Sequence, residues 1–152
     1  MPPVLKNILS VILGFAIGSV VNSMIIKYSG AIIPYPEGFD NSTPEKLTET
    51  FHLLENKHMI LPWVAHALGT FLGAFWAARF SASKHYFMAM IVGGLFLLGG
   101  TYMVYFLKMQ PMWFTITDLL LAYLPMAFLG WKISGKAKDT ILTKGAISDH
   151  LI

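Results

Sequence analysis

The sequence predicts an all-α membrane protein, a four-transmembrane-helix bundle with a short amphipathic helix in its first outer loop. Three observations predict it. The chain is 55% apolar and only 12% charged, where a soluble domain carries about 25% charged residues. Its mean hydropathy is +0.60. Four apolar segments stand out, each 21 to 23 residues long. At 1.5 Å per residue each reaches roughly 31–35 Å, enough to cross a ~30 Å hydrocarbon core. In lipid, backbone groups find partners only within the chain, so these segments are helices.

The first span is expected at 4–26, interrupted only by Lys6 and Asn7 near its start. It exceeds the hydrophobic region of a signal peptide, and "KYSGAII" after it is a poor cleavage site, so it reads as a retained span, with a cleaved signal peptide as the alternative. The outer loop covers 27–59. Within it "IIPYPEGFDN" carries the proline, glycine and aspartate of a structured turn. "STPEKLTETFHLLEN" reads as a short helix: Thr43 or Ser42 caps it, Pro44 suits its first position and Glu45 suits its positive end. Leu47, Phe51 and Leu54 form its apolar face. Glu45, Glu49 and His52 share another face. A solvated face explains those three better than a metal site, and no metal or cofactor is expected. The second span is expected at 60–80, the third at 86–106 and the fourth at 113–133, the last containing Asp118 and Lys132. Pro125 removes a backbone donor there and predicts a kink. Residues 1–134 thus form one membrane domain and 135–152 a tail.

Basic residues orient the chain. Arg79 and Lys84 flank the loop between the second and third spans; Lys132, Lys136, Lys138 and Lys144 lie in or near the tail. The positive-inside rule then places both termini in the cytoplasm and the acidic first loop outside. With no cysteine, disulfides and thiol chemistry are excluded. The net charge of +3 is scattered over loops and tail, which is not a nucleic-acid footprint.

Small residues recur every four positions. Ser10, Gly14, Gly18 and Asn22 share one stripe, and Ala65, Gly69, Gly73 and Ala77 another. Such stripes let helix backbones approach closely. Gly14, Gly18, Gly69 and Gly73 are the expected packing residues, within one chain or between copies.

His66 is the anomaly of the second span. It lies beside that stripe and so faces other helices. Asn22, Thr101 and Asp118 fall at nearly the same depth on the other three spans. A charged aspartate at mid-membrane costs about 2.5–3.5 kcal/mol, less near an interface or with a partner. An imidazole can donate to its carboxylate. The four residues are therefore expected to form one inward polar cluster in the outer half of the bundle. Two roles weigh about evenly: hydrogen-bonded glue between helices, or a protonatable functional site.

No H-E-x-x-H, G-x-S-x-G or Walker loop names an enzyme chemistry. "PYPEGFD", "AHALGTFLGAFWAARF" and "AYLPMAFLGWKI" resemble a group of small four-span bacterial membrane proteins to which no activity is attached. The similarity covers roughly residues 4–133. It implies the four-span topology and the bacterial inner membrane, and it carries over no functional residue. The expected role is a non-enzymatic accessory or structural protein. The alternative is an oligomeric proton- or ion-coupled transporter or channel built on the His/Asp cluster. The bilayer is the expected partner, with a homo-oligomer or a larger membrane complex as further possibilities and no nucleic acid.

Overall fold

The computed structural model describes residues 1–137. The tail assigned to 135–152 therefore lies almost wholly outside the described residues. Among those residues the secondary structure is entirely helical, with four helical segments long and apolar enough to cross a membrane. The elements are α1 (Pro3–Ile32), α2 (Pro44–Thr50), α3 (Ile60–Phe80), α4 (His85–Leu107), α5 (Met112–Leu121) and α6 (Leu124–Ile133). Two short 3₁₀ turns, Phe51–Leu53 and Asn56–Met59, join α2 to α3.

α1 runs on beyond the expected end at Ile26. Nothing in "KYSGAI" breaks a helix, and the next proline along the chain is Pro34. Ser29 Oγ donates to the Ile26 carbonyl at 2.6 Å and lies 2.6 Å from the Tyr35 hydroxyl, so the last turn is tied to the loop that follows. Gly30 leaves room for the Tyr35 ring, 2.6 Å from where a Cβ would stand.

The first loop is ordered. Gly38 takes φ +84° at its turn. Asp40 Oδ1 accepts from Ser42 N at 2.8 Å, and its Oδ2 takes the Lys46 ammonium at 2.7 Å. Lys46 first, and the Ser42 bonds next, hold the Asp40 carboxyl well below the usual carboxylate range. Thr43 caps α2, accepting from Lys46 N at 3.3 Å, as the sequence leads one to expect. Phe51 and Met59 then seat the loop on one end of the bundle against Leu107 and Phe114. His58 is buried and uses both ring nitrogens. Nδ1 accepts from Glu55 N at 2.9 Å, which leaves Nε2–H to donate to the Pro34 carbonyl at 3.1 Å. This loop end and the opposite tail end are the two faces of the bundle.

α3 is the hub, packing on α1, α4 and α6. Its closest approach is to α1, where Gly14 meets Gly73 and Gly18 meets Gly69. A Cβ on Gly14 or Gly18 would strike the partner's carbonyl oxygen, and one on Gly69 or Gly73 would sit 2.8 Å from the carbonyl opposite. Both stripes thus meet within one chain. On its other side α3 meets α6, whose Gly130 rests on the Phe71 carbonyl. Ala74, Ala78, Ala89 and Ala127 form a small-residue core there. At the tail end Asn7 caps the turn into α4: its Oδ1 accepts from Ala82 N at 2.8 Å and Ser83 N at 3.2 Å. Asn7, read from sequence as an interruption of the first span, is a tie between α1 and that turn.

The fourth span departs from a kinked single helix. It breaks into two ten-residue helices at Ala122–Tyr123, where Tyr123 has φ −116° and ψ −83°. Pro125 explains the break. It has no N–H to give Leu121, and its ring displaces the carbonyl four residues earlier. The chain turns once and restarts, with Ala127 N bonding to the Tyr123 carbonyl at 2.8 Å.

Candidate functional site

His66 lies six residues from the loop end of α3, and Asp118 six from that end of α5, so both sit about 9 Å in. Their side chains meet: His66 Nδ1 is 2.8 Å from Asp118 Oδ1. A third member comes from the helix break. The Tyr123 hydroxyl lies 2.6 Å from Asp118 Oδ2 and 3.0 Å from His66 Nδ1. Its ring stacks on the imidazole at a centroid distance of 5.8 Å. Asp118 and Tyr123 are each only 1% exposed, so these bonds are made away from lipid and water.

The network assigns the protons. A carboxylate only accepts, so Tyr123 O–H donates to Oδ2 and His66 Nδ1–H to Oδ1. Both Asp118 oxygens are then satisfied. His66 Nε2 takes no part in the triad's bonds. Thr70, one turn further along α3, donates to the His66 carbonyl at 2.7 Å. Its hydroxyl is spent on its own helix.

Local sequence places each group. Gly100 on α4 opposes Tyr123, and a Cβ there would run into the hydroxyl, so only glycine lets the phenol reach Asp118. The break before Pro125 turns Tyr123 inward, beside the end of α5 that carries Asp118.

The two remaining residues of the expected cluster behave differently. Thr101 does not join it. Its Oγ1 donates to the Leu97 carbonyl at 2.8 Å and its side chain is exposed. Gly93, Phe96 and Gly100 give the inward face of α4, and position 101 lies about 100° further round. Asn22 faces inward but makes no hydrogen bond to the triad; its Oδ1 is buried without a partner. Tyr123 is the member that sequence reading missed. A tyrosine in mid-span, far from the interfacial belts where tyrosines collect, was the available signal.

Asn22, His66 and Tyr123 share the wall of one cavity of about 330 Å³ between α1, α3 and α4. Phe15, Leu95, Gly99 and Tyr102 frame it and are exposed on the flank of the bundle, so it opens sideways. Among the described residues, no three His, Asp or Glu side chains converge as a metal site. His52 Nδ1 lies 2.9 Å from the Glu49 backbone carbonyl, within its own turn.

Comparison with protein-family models, with curated proteins and with solved structures finds no match.

Proposed function

We propose that this chain is a non-enzymatic accessory or structural protein of a bacterial inner membrane, with both termini on the cytoplasmic side. One observation carries the reading. The polar groups of the triad are used on one another and tie α3 to the acid of α5 and to the break before α6. Beyond Thr70 toward the tail end, α3 offers Gly73, Ala74 and Ala77 to the core, so no polar chain continues along it. A proton on the triad has no onward carrier on that helix. The small-residue faces and the ordered loop suit a protein that holds its shape within the bilayer, as a homo-oligomer or in a larger membrane complex.

The second reading, an oligomeric proton- or ion-coupled transporter, is favoured by the broken fourth span. Discontinuous helices beside an intramembrane acid are a frequent construction of transport sites. Proton flux into sealed liposomes separates the two. Under an imposed potential, with an internal pH dye, the accessory reading expects no flux above empty liposomes from the wild type or from Asp118→Asn. Flux in the wild type that the variant loses would overturn it in favour of transport.

A further inference from the structure

A separate groove of about 440 Å³ lies on the flank of the bundle at the tail end, between the starts of α1 and α4. Its polar residues gather at the turn into α4. Asn7 spends its Oδ1 on the Ala82 and Ser83 amides, and its Nδ2 donates to Ser83 Oγ at 3.1 Å. The Ser83 hydroxyl therefore keeps its own proton to donate. Lys84 follows on the rim, exposed and in no ion pair among the described residues. Its backbone is left-handed, φ +51°, where glycine would stand without strain. Towards the middle of the bilayer the lining is apolar. Val11 and Ile12 of α1 and Ile91 of α4 flank the buried Met88. Ile8, Ile12 and Phe87 are exposed, so the groove opens sideways towards lipid.

Charge selects the occupant. Among the described residues every acidic side chain lies in the first loop, from Glu37 to Glu55, or at Asp118 near the loop end. The tail end carries Lys6, Arg79, Lys84 and Lys132 with no described acid beside them. A second copy of the chain would insert the same way up and bring this cationic end to the same depth, against Lys84. A lipid head with an ammonium of its own would find no carboxylate here. We infer that the groove binds an anionic phospholipid. The phosphodiester sits against the Lys84 ammonium and the Ser83 hydroxyl, and an acyl chain runs between α1 and α4 towards the midplane. Polar end outward and apolar end inward, the groove has the polarity of a lipid in the leaflet at the tail end. From Val4 to Ile12, α1 lines it over about 12 Å. This inference goes beyond the structural role proposed above, and it uses neither the triad nor the orientation of the chain.

The test is photolabelling of the purified full chain in phosphatidylcholine nanodiscs. The probes are trace phosphatidylglycerol and trace phosphatidylcholine, each with the same diazirine in one acyl chain. Peptide mass spectrometry locates the adducts. Phosphatidylglycerol is expected to label the groove, residues 4–12 and 84–91, about five-fold more than phosphatidylcholine, the factor that one lysine near the headgroups supplies. Lys84→Gly deletes the charge while relieving the backbone, so the fold is kept and the preference is expected to vanish. Lys84→Arg is expected to keep it. Lys6→Gln and Lys132→Gln, at the same end but outside the groove, are expected to leave it unchanged. Equal labelling by the two lipids, or a preference that survives Lys84→Gly, would overturn the site. A loss in Lys6→Gln as large as in Lys84→Gly would overturn it too and mark a diffuse attraction to the whole basic end. No labelling of the groove by either lipid would overturn it in favour of a second copy seated there. Stronger competition by palmitate than by unlabelled phosphatidylglycerol would overturn the phospholipid as occupant. Lys84 lies outside the triad, so failure here leaves the liposome result standing on its own.

Discussion

Replacing Tyr123 with phenylalanine removes one oxygen and almost nothing else. The ring keeps its stacking on His66, and no cavity larger than a hydroxyl opens. What is lost is the donor 2.6 Å from Asp118 Oδ2, at a residue 1% exposed. In a water-soluble protein, orphaning such an acceptor costs about 1–3 kcal/mol, more when it is charged. Hydrogen bonds between membrane helices average about 0.6 kcal/mol with a maximum near 1.7, because the unfolded chain in lipid finds partners too. The carboxylate favours the upper end, so about 1–2 kcal/mol is expected. At roughly 2–4 °C per kcal/mol, Tyr123→Phe should lower the melting temperature in detergent by about 2–8 °C. Tyr105→Phe is the control, a tyrosine 73% exposed on the flank. A double-mutant cycle with Asp118→Asn should return a coupling of about 0.5–2 kcal/mol. A Tyr123→Phe shift no larger than the control, or a coupling near zero, would refute the triad as a stabilising unit.

Other expected outcomes follow the same geometry. Gly18→Ala should destabilise by about 1–3 kcal/mol in the same melt, because its methyl strikes the Gly69 carbonyl. Gly94→Ala, where a Cβ meets nothing within 4 Å, should be neutral or slightly stabilising. His58→Phe should loosen the first loop by about 1–3 kcal/mol, read as faster amide exchange at 34–59, because the Glu55 amide and the Pro34 carbonyl both lose their partner. The Asp40 clasp has a defined pH sign. Its carboxyl is held below the ordinary value of 3.8, so its contribution is complete above that value and fades as pH falls through the lowered one. Exchange in α2, corrected for intrinsic rates, should therefore hold from pH 7 to pH 5, and Asp40→Asn should raise it throughout. A reporter active only outside the cytoplasm, fused after Ile152, should stay silent; signal would invert the proposed topology.

Much of the architecture was legible because lipid simplifies the grammar. Span length and apolarity locate four helices, and α3 begins and ends at Ile60 and Phe80 as read. The glycine stripes were legible as contact faces, but not as partners of one another, since spacing says nothing about which helix lies opposite. His66 and Asp118 could be paired from depth alone, because helices of similar length entering from one face bring equal counts to equal depths. Thr101 passed the same depth test and failed on azimuth, which depth does not carry. Tyr123 was hidden by the opposite error. Its role depends on a local break, and a proline two residues later signals a distortion without saying how far the chain will turn.

That break has a consequence for how the protein is made. Neither α5 nor α6 is long enough to cross a bilayer alone, at ten residues and about 15 Å each. They enter as a pair, carrying the only acidic side chain buried among the described residues. Synthesis runs from the N-terminus, so α3 is already in the membrane when Asp118 emerges. The imidazole precedes its acid along the chain, and the cost of inserting the fourth segment is one that the second has been built to relieve.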